Sequence, residues 1–200
     1  MADMVDTPPL APTPAALGFL LSRRSRPPRM LGMKVPDRAT IEVLLTAAAR
    51  VPDHGKLEPW RFIVLQHAAC QRLGALAQDR GATLAMDHDK VDKTASGFRD
   101  AHLIIAVVSA PKPSDRIPVE EQTASASAAC LSLVNAALAA GWGACWLTGW
   151  ASSDRDFLQT GLGLSASEAL AGFIHIGEEQ RPPPERPRPD ISALTTWQDT

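Results

Sequence analysis

Three short stretches of this 200-residue chain concentrate residues able to do chemistry. The first is Arg23-Arg24-Ser25-Arg26. Two or three guanidiniums and a hydroxyl within four residues can grip a phosphate dianion through charge-assisted, bidentate bonds. The same arginines suit the C-terminal end of a helix, where the macrodipole favours cations. A phosphate held there would oppose the dipole, so the side chains would have to supply all the attraction. The second stretch is RVPDHGKLEPW, residues 50–60, in which Arg50 and His54 lie four apart around Pro52 and are followed by Lys56, Glu58 and Trp60. Taken alone, a solvated loop of mixed charge is the simpler account of it. The third is GWGACWLTG, residues 141–149. Its glycine bends let backbone approach a ligand closely with N–H groups free to donate. A buried strand with Trp142 and Trp146 in the core explains the same residues, and both accounts can hold together.

Composition narrows the classes. Hydrophobic residues at 45% and charged residues at 21% describe an ordinary globular chain long enough for a sizeable core. A formal net charge of −2 offers no electrostatic reason for a nucleic-acid or anionic-membrane partner. Cys70, Cys130 and Cys145 are scattered and do not pair with the histidines at zinc spacing, so no metal site is expected. An odd number of distant cysteines suits a reducing compartment. The apolar run Ala15–Leu21 precedes its arginines, the reverse of an export signal, and no run reaches membrane-spanning length. A cytoplasmic protein is expected. Neither G-x-G-x-x-G after a strand nor a P-loop nor a G-x-S-x-G elbow is present. Any ligand must be held by scattered parts.

The elements that would position those parts follow from periodicity. Residues 1–12 form a Pro-rich tail expected to be disordered. Helices are expected near 13–24, after an Asp37 N-cap with Ile41, Leu44, Leu45 and Ala48 on one face, over 69–86, over 119–140 and near 154–160. Strands are expected at 60–66, 103–109, 141–149 and 171–177. The polar stretch 87–100 reads as a mobile crossover. The Pro-rich residues 179–200 read as an extended arm that dangles or crosses a partner, which leaves 13–178 as one folded domain. The expected class is α+β: a three-layer sandwich with a mixed central sheet flanked by helices.

Together, R-R-S-x-R, a proline loop ending in Pro59-Trp60 and G-x-G-x-x-W-x-x-G resemble the FMN-dependent nitroreductase family. The likeness is to its small single-domain branch, whose loop reads P-D-H, and it spans about residues 15–178. It implies a homodimer with FMN at the subunit interface, each site built from both chains. Arg23, Arg24 and Ser25 match the phosphate-binding positions. Arg50 and His54 match loop positions that reach a cofactor bound mainly by the other subunit. Trp146, Leu147, Thr148 and Gly149 match the segment along the isoalloxazine. Ala136, Ala137, Leu138, Ala139, Ala140 and Gly141 match the region assigned to the nicotinamide nucleotide.

The implied activity is hydride transfer from NAD(P)H through FMN to nitroaromatics, quinones or related electrophiles, with ping-pong kinetics and no catalytic side chain. A flavin carrier without turnover, and a dehalogenase or enoate reductase on the same fold, are the alternatives. Some positions depart from the family pattern. Glu58 stands where many members have Gln, and a carboxylate cannot donate to a flavin carbonyl unless protonated. Leu147 makes apolar a wall that is often polar. Arg50 or Lys56 is the expected source of positive charge beside the flavin, and Arg181, Arg186 and Arg188 are arm candidates for the phosphate.

Overall fold

A computed structural model describes residues 9–199, so most of the tail expected to be disordered lies outside the described residues. Four strands carry the fold: β1 (Trp60–Gln66), β2 (Leu103–Ser109), β3 (Gly143–Leu147) and β4 (Ala169–Gly177). They lie in the order β1-β2-β4-β3. The helices are α1 (Pro14–Ser22), α2 (Arg38–Ala48), α3 (His67–Thr83), α4 (His88–Arg99), α5 (Val119–Ala139), α6 (Arg155–Leu162) and the single turn α7 (Ile191–Leu194). Residues 182–190 of the arm form neither helix nor strand.

Alternation along the strands creates two cores. Leu103, Ile105 and Val107 of β2 join Ile174 and Ile176 of β4 against α2 and α5. Ile104, Ala106 and Val108 join Phe173 against α3, α4 and α6. The expected α+β three-layer sandwich is therefore present. Asp37 caps α2 as expected, accepting from the Thr40 N–H at 2.8 Å.

Two expectations are corrected. The sheet is not mixed, since all three pairings are antiparallel. β2, α5 and β3 do form a crossover that returns the chain in the same direction, but β4 occupies the slot between the two strands. The parallel pair is thereby split. The stretch 87–100 is not a mobile crossover but the helix α4, capped by Asp87, which accepts from the Lys90 N–H at 3.1 Å. Its buried stripe is Val91, Ala95 and Phe98, at helical spacing. The charged residues around that stripe diluted the periodic signal. α3 and α4 together lead out and back, which is why β2 begins beside the end of β1.

Candidate functional site

The arginine segment is sewn onto the end of the sheet. Arg23 is the C-cap of α1 and its backbone has already turned extended. The Arg26 N–H then donates to the Ala144 carbonyl at 2.8 Å, Gly32 N–H to Glu178 at 2.8 Å, and Gln180 N–H to Met30 at 2.9 Å. This fit requires Gly143, where a Cβ would come within 2.6 Å of Leu31 Cδ2. The same stitching brings the root of the arm beside the arginines. Arg24 Nη2 donates to the Pro184 carbonyl at 2.9 Å, Arg23 Nη2 to Ser25 Oγ at 3.1 Å, and Arg26 pairs with Glu179.

The arm adds more positive charge. Burial, then the charges of Arg188, Arg26, Arg24 and Arg186, hold the Arg23 pKa below its ordinary value. Glu185 Oε1 lies 2.9 Å from Arg188 Nη2 and 3.7 Å from Arg24 Nε. Five arginines thus outnumber the carboxylates Glu179 and Glu185. The Nε atoms of Arg23 and Arg24 are buried without a hydrogen-bond partner. Unpaired buried guanidinium donors are costly unless an anion completes them. A phosphate fits that requirement. Of the three arm candidates, Arg186 and Arg188 act on the cluster, and sequence spacing alone could not select them.

Two cavities lie beneath α4. One, of about 420 Å³, is walled by Pro27, Pro28, Arg29 and the C-terminal half of α4. The other, of about 580 Å³, is walled by Thr148, Gly149, Trp150 and α4 from Lys90 to Phe98. Leu147, Lys93, Gly97 and His175 line both. A Cβ at Gly97 or Gly149 would meet nothing within 4 Å, so both glycines border open space. That space suits a flat ring.

Strand geometry divides the labour within β3. Leu147 pairs with Phe173 on the α4 side, whereas Trp146 pairs with Ile174 on the α5 side. Their side chains cannot flank one ring together. The Trp146 indole instead lies on β4, donating from Nε1 to the Ala171 carbonyl at 3.2 Å. Its backbone is better placed. β3 is an edge strand whose Ala144 carbonyl faces outward to Arg26. Two residues on, the Trp146 N–H and C=O share that edge.

The loop lies at the opposite edge, leading into β1. Much of its hardware builds the loop itself. Asp53 accepts from the Leu57 and Glu58 N–H groups at 3.0 and 2.9 Å. Trp60 Nε1 donates to Ser125 Oγ at 3.0 Å, and that hydroxyl donates to the Pro52 carbonyl at 2.6 Å. His54 Nδ1 lies 2.8 Å from Glu121 Oε1 beside a separate cavity of about 560 Å³. Arg50, Lys56 and Glu58 are exposed. One chain therefore does not bring Arg50 and His54 to the arginines or to β3.

Residues 136–141 form the end of α5. Ala137 is fully buried in the core, and only Ala139, Ala140 and Gly141 are exposed. Gly141 has φ +83° because it stops the helix. Its N–H donates to Leu138 at 3.1 Å and the Trp142 N–H to Ala137 at 2.9 Å, the double bond of a Schellman cap. Among the described residues no histidine, cysteine and carboxylate group could hold a metal. Burial pushes the thiols of Cys70, Cys130 and Cys145 up to about 11, 12 and 12, so they stay protonated. Lys93, Gly97 and His175 were missed in the sequence. The first two sit four apart on a helix read as a loop, and the third is a polar residue in the run AGFIHIG.

The fold is a three-layer α+β domain with an arginine-rich end, two cavities beneath α4 and an open strand edge. The sequence model of the nitroreductase family matches residues 20–178, and the chain belongs to that family. It is 29% identical over 165 residues, 82% of this chain and 88% of the relative, to YdjA of Escherichia coli strain K12, provisionally named an NAD(P)H nitroreductase. In fold it is similar to a nitroreductase-like family protein from Bacillus cereus, with a TM-score of 0.78, 20% identity and coverage of 96% and 100% of the two chains. It is also similar to a nitroreductase-type protein from Desulfovibrio desulfuricans crystallised with FMN, with a TM-score of 0.71, 21% identity and coverage of 95% and 99%. No helix among the described residues is long and apolar enough to cross a membrane.

Proposed function

We propose that this protein is an FMN-dependent oxidoreductase that passes hydride from NAD(P)H to nitroaromatics, quinones or related small electrophiles. The observation that carries this reading is the arginine cluster, with buried Arg23 and Arg24 Nε atoms that make no hydrogen bond, on the segment whose next residues, Pro27, Pro28 and Arg29, wall one of the paired cavities. The family match and the NAD(P)H nitroreductase relatives support it.

Arg23, Arg24 and Ser25, joined by Arg186 and Arg188, would hold the FMN phosphate. FMN held there would supply the hydride-transfer chemistry between nicotinamide and acceptor. The chain's residues hold and shield that ring. Leu147, Phe98 and Phe173 make its surroundings apolar and exclude water. The Trp146 N–H, with Thr148 and Gly149 beside it, offers a donor on the open edge of β3. Lys93, which lines both cavities and forms no ion pair among the described residues, supplies positive charge to the ring's electron-rich edge, the role expected of Arg50 or Lys56. The exposed turn Ala139–Gly141 is the part of the α5 end available to a nicotinamide nucleotide. A helix C-terminus repels a pyrophosphate, so contact there falls to the uncharged portion. Arg50 and His54 serve the site of a second copy across a homodimer interface.

Denaturing the purified protein and chromatographing the supernatant should release FMN in about one equivalent per chain. Anaerobic NADH or NADPH should bleach the bound flavin, and a quinone or nitroaromatic should restore its colour. Bleaching by dithionite alone would point to a carrier. Absence of FMN after reconstitution would overturn the reading.

A further inference from the structure

β4 crosses the middle of the sheet with a single ionisable side chain, His175, which is only 4% exposed. It stands between Ile104 and Cys145 in register, with the parity of Phe173, so its imidazole points to the α4 layer. A buried imidazole normally finds a hydrogen-bond partner. His175 makes no hydrogen bond within the protein among the described residues; its ring nitrogens are not sealed orphans but open onto the cavities, and burial of the ring pushes its pKa down to about 4. What it has is access to both cavities beneath α4. Opposite it the helix carries Gly97, where a Cβ would meet nothing within 4 Å. A glycine inside a helix is less stable than alanine, so the opening carries a cost in stability.

The polar groups around the imidazole do not complete it. Lys93 and Ser96 come from α4, Asp100 is its C-cap, Arg29 lies in the segment after α1, and His102 immediately precedes β2. None of them bonds to His175. His102 instead stacks on His67, with ring centroids 4.1 Å apart. A neutral imidazole offers one donor and one acceptor. The two point away from each other, so one of them can meet a single carbonyl or ring N–H on the edge of a planar heteroaromatic ligand. Two aromatic rings, Phe98 and Phe173, border the same space and suit the faces and rim of such a ligand.

We infer that His175 is the side chain that hydrogen-bonds the ring held in the paired cavities, and so selects a flavin by its ring and not by its phosphate. This rests on the proposed flavin function. The structure thereby separates two recognition elements, arginines for the phosphate end and an uncharged histidine for the ring.

The test compares apoprotein carrying His175→Leu with His175→Asn, using FMN and riboflavin and quenching of flavin fluorescence. The Leu variant should bind both flavins at least about tenfold more weakly, by the same factor for each, while its apoprotein melts at or above the parent temperature. Asn, which keeps a neutral donor and acceptor, should stay within about threefold of the parent. Parent-like affinity of the Leu variant for both flavins would overturn the assignment. If that variant fails to fold, the imidazole 15N resonances of the unsubstituted protein decide. FMN must shift those of His175, and unmoved resonances under saturating FMN would overturn the assignment alone. A protein that binds neither flavin would overturn both this assignment and the flavin function beneath it.

Discussion

Trp146 and Gly172 occupy one another's space across the β3–β4 pair: a Cβ at position 172 would lie 2.0 Å from Trp146 Nε1. The glycine exists so that an indole can lie flat on the neighbouring strand. The indole in turn anchors the last turn of the edge strand through its bond to Ala171. The open backbone of Trp146 is thus held from the side that faces away from the cavities.

Gly172→Ala should lift the indole and loosen β3. A stability loss of about 1–3 kcal/mol is expected for such overpacking, measured by thermal or urea unfolding, together with weaker flavin binding. Gly149→Ala is the control, because nothing lies within 4 Å of its Cβ and its backbone is extended. It should leave apoprotein stability within about 0.5 kcal/mol and still weaken flavin binding if the ring lies against it.

Arg23→Ala with Arg24→Ala should weaken FMN at least about tenfold and riboflavin little, since riboflavin lacks the phosphate. Glu185 provides the converse. Its carboxylate sits between Arg188 and Arg24, where it competes with an incoming anion. Glu185→Gln should therefore tighten FMN a few-fold without changing riboflavin, as read by fluorescence titration. Equal effects on both ligands would make these charges structural.

Most of the scaffold was legible in the sequence because its elements carry strong local signals. The β-branched run of β2 is buried on both faces, and Asp37 caps α2 as its position suggested. α4 was not legible, because Val91, Ala95 and Phe98 are diluted by Asp, Lys and Thr. With it went Lys93, Gly97 and the wall of the cavities. The antiparallel sheet was hidden for a different reason: which strand fills the slot beside β2 is a long-range choice. Gly141 adds a structural role that the sequence did not reveal, since it terminates α5.

Acid stability should depend on a pair remote from the cavities. Glu168 accepts from Arg61 Nη2 at 2.9 Å and from the Ser165 N–H at 2.9 Å. The Arg61 hydrogen bond, against the opposing effect of burial, holds its carboxyl at about 2. A folded pKa below the unfolded one gives stability that is complete above about pH 4.5 and disappears as pH falls toward 2. Arg61 is 40% exposed, so screening reduces the contribution to about 1 kcal/mol. Glu168→Gln should be less stable than the parent at pH 7, and the two should converge between pH 4.5 and 2. Parallel stability curves across that range would show that the pair contributes nothing.

The separation of the two halves of the site predicts complementation between subunits. Arg23 and Arg24 adjoin the β3 edge, whereas Arg50 and His54 adjoin the β1 edge across the full width of the sheet. In a homodimer built as proposed, each FMN would meet the arginines of one chain and the loop of the other. A homodimer of Arg23→Ala/Arg24→Ala chains has two sites without a phosphate grip. A homodimer of Arg50→Ala/His54→Ala chains has two sites without the loop. Refolding the two variants together produces mixed dimers with one site that is wholly intact and one that is doubly deficient. Those mixed dimers should bind about half an equivalent of FMN per chain at parental affinity and recover about half the parental reductase rate. Separation by different affinity tags allows the mixed species to be measured alone. Recovery of neither binding nor rate would place both halves of the site within one chain, and a monomer with full FMN affinity would do so directly.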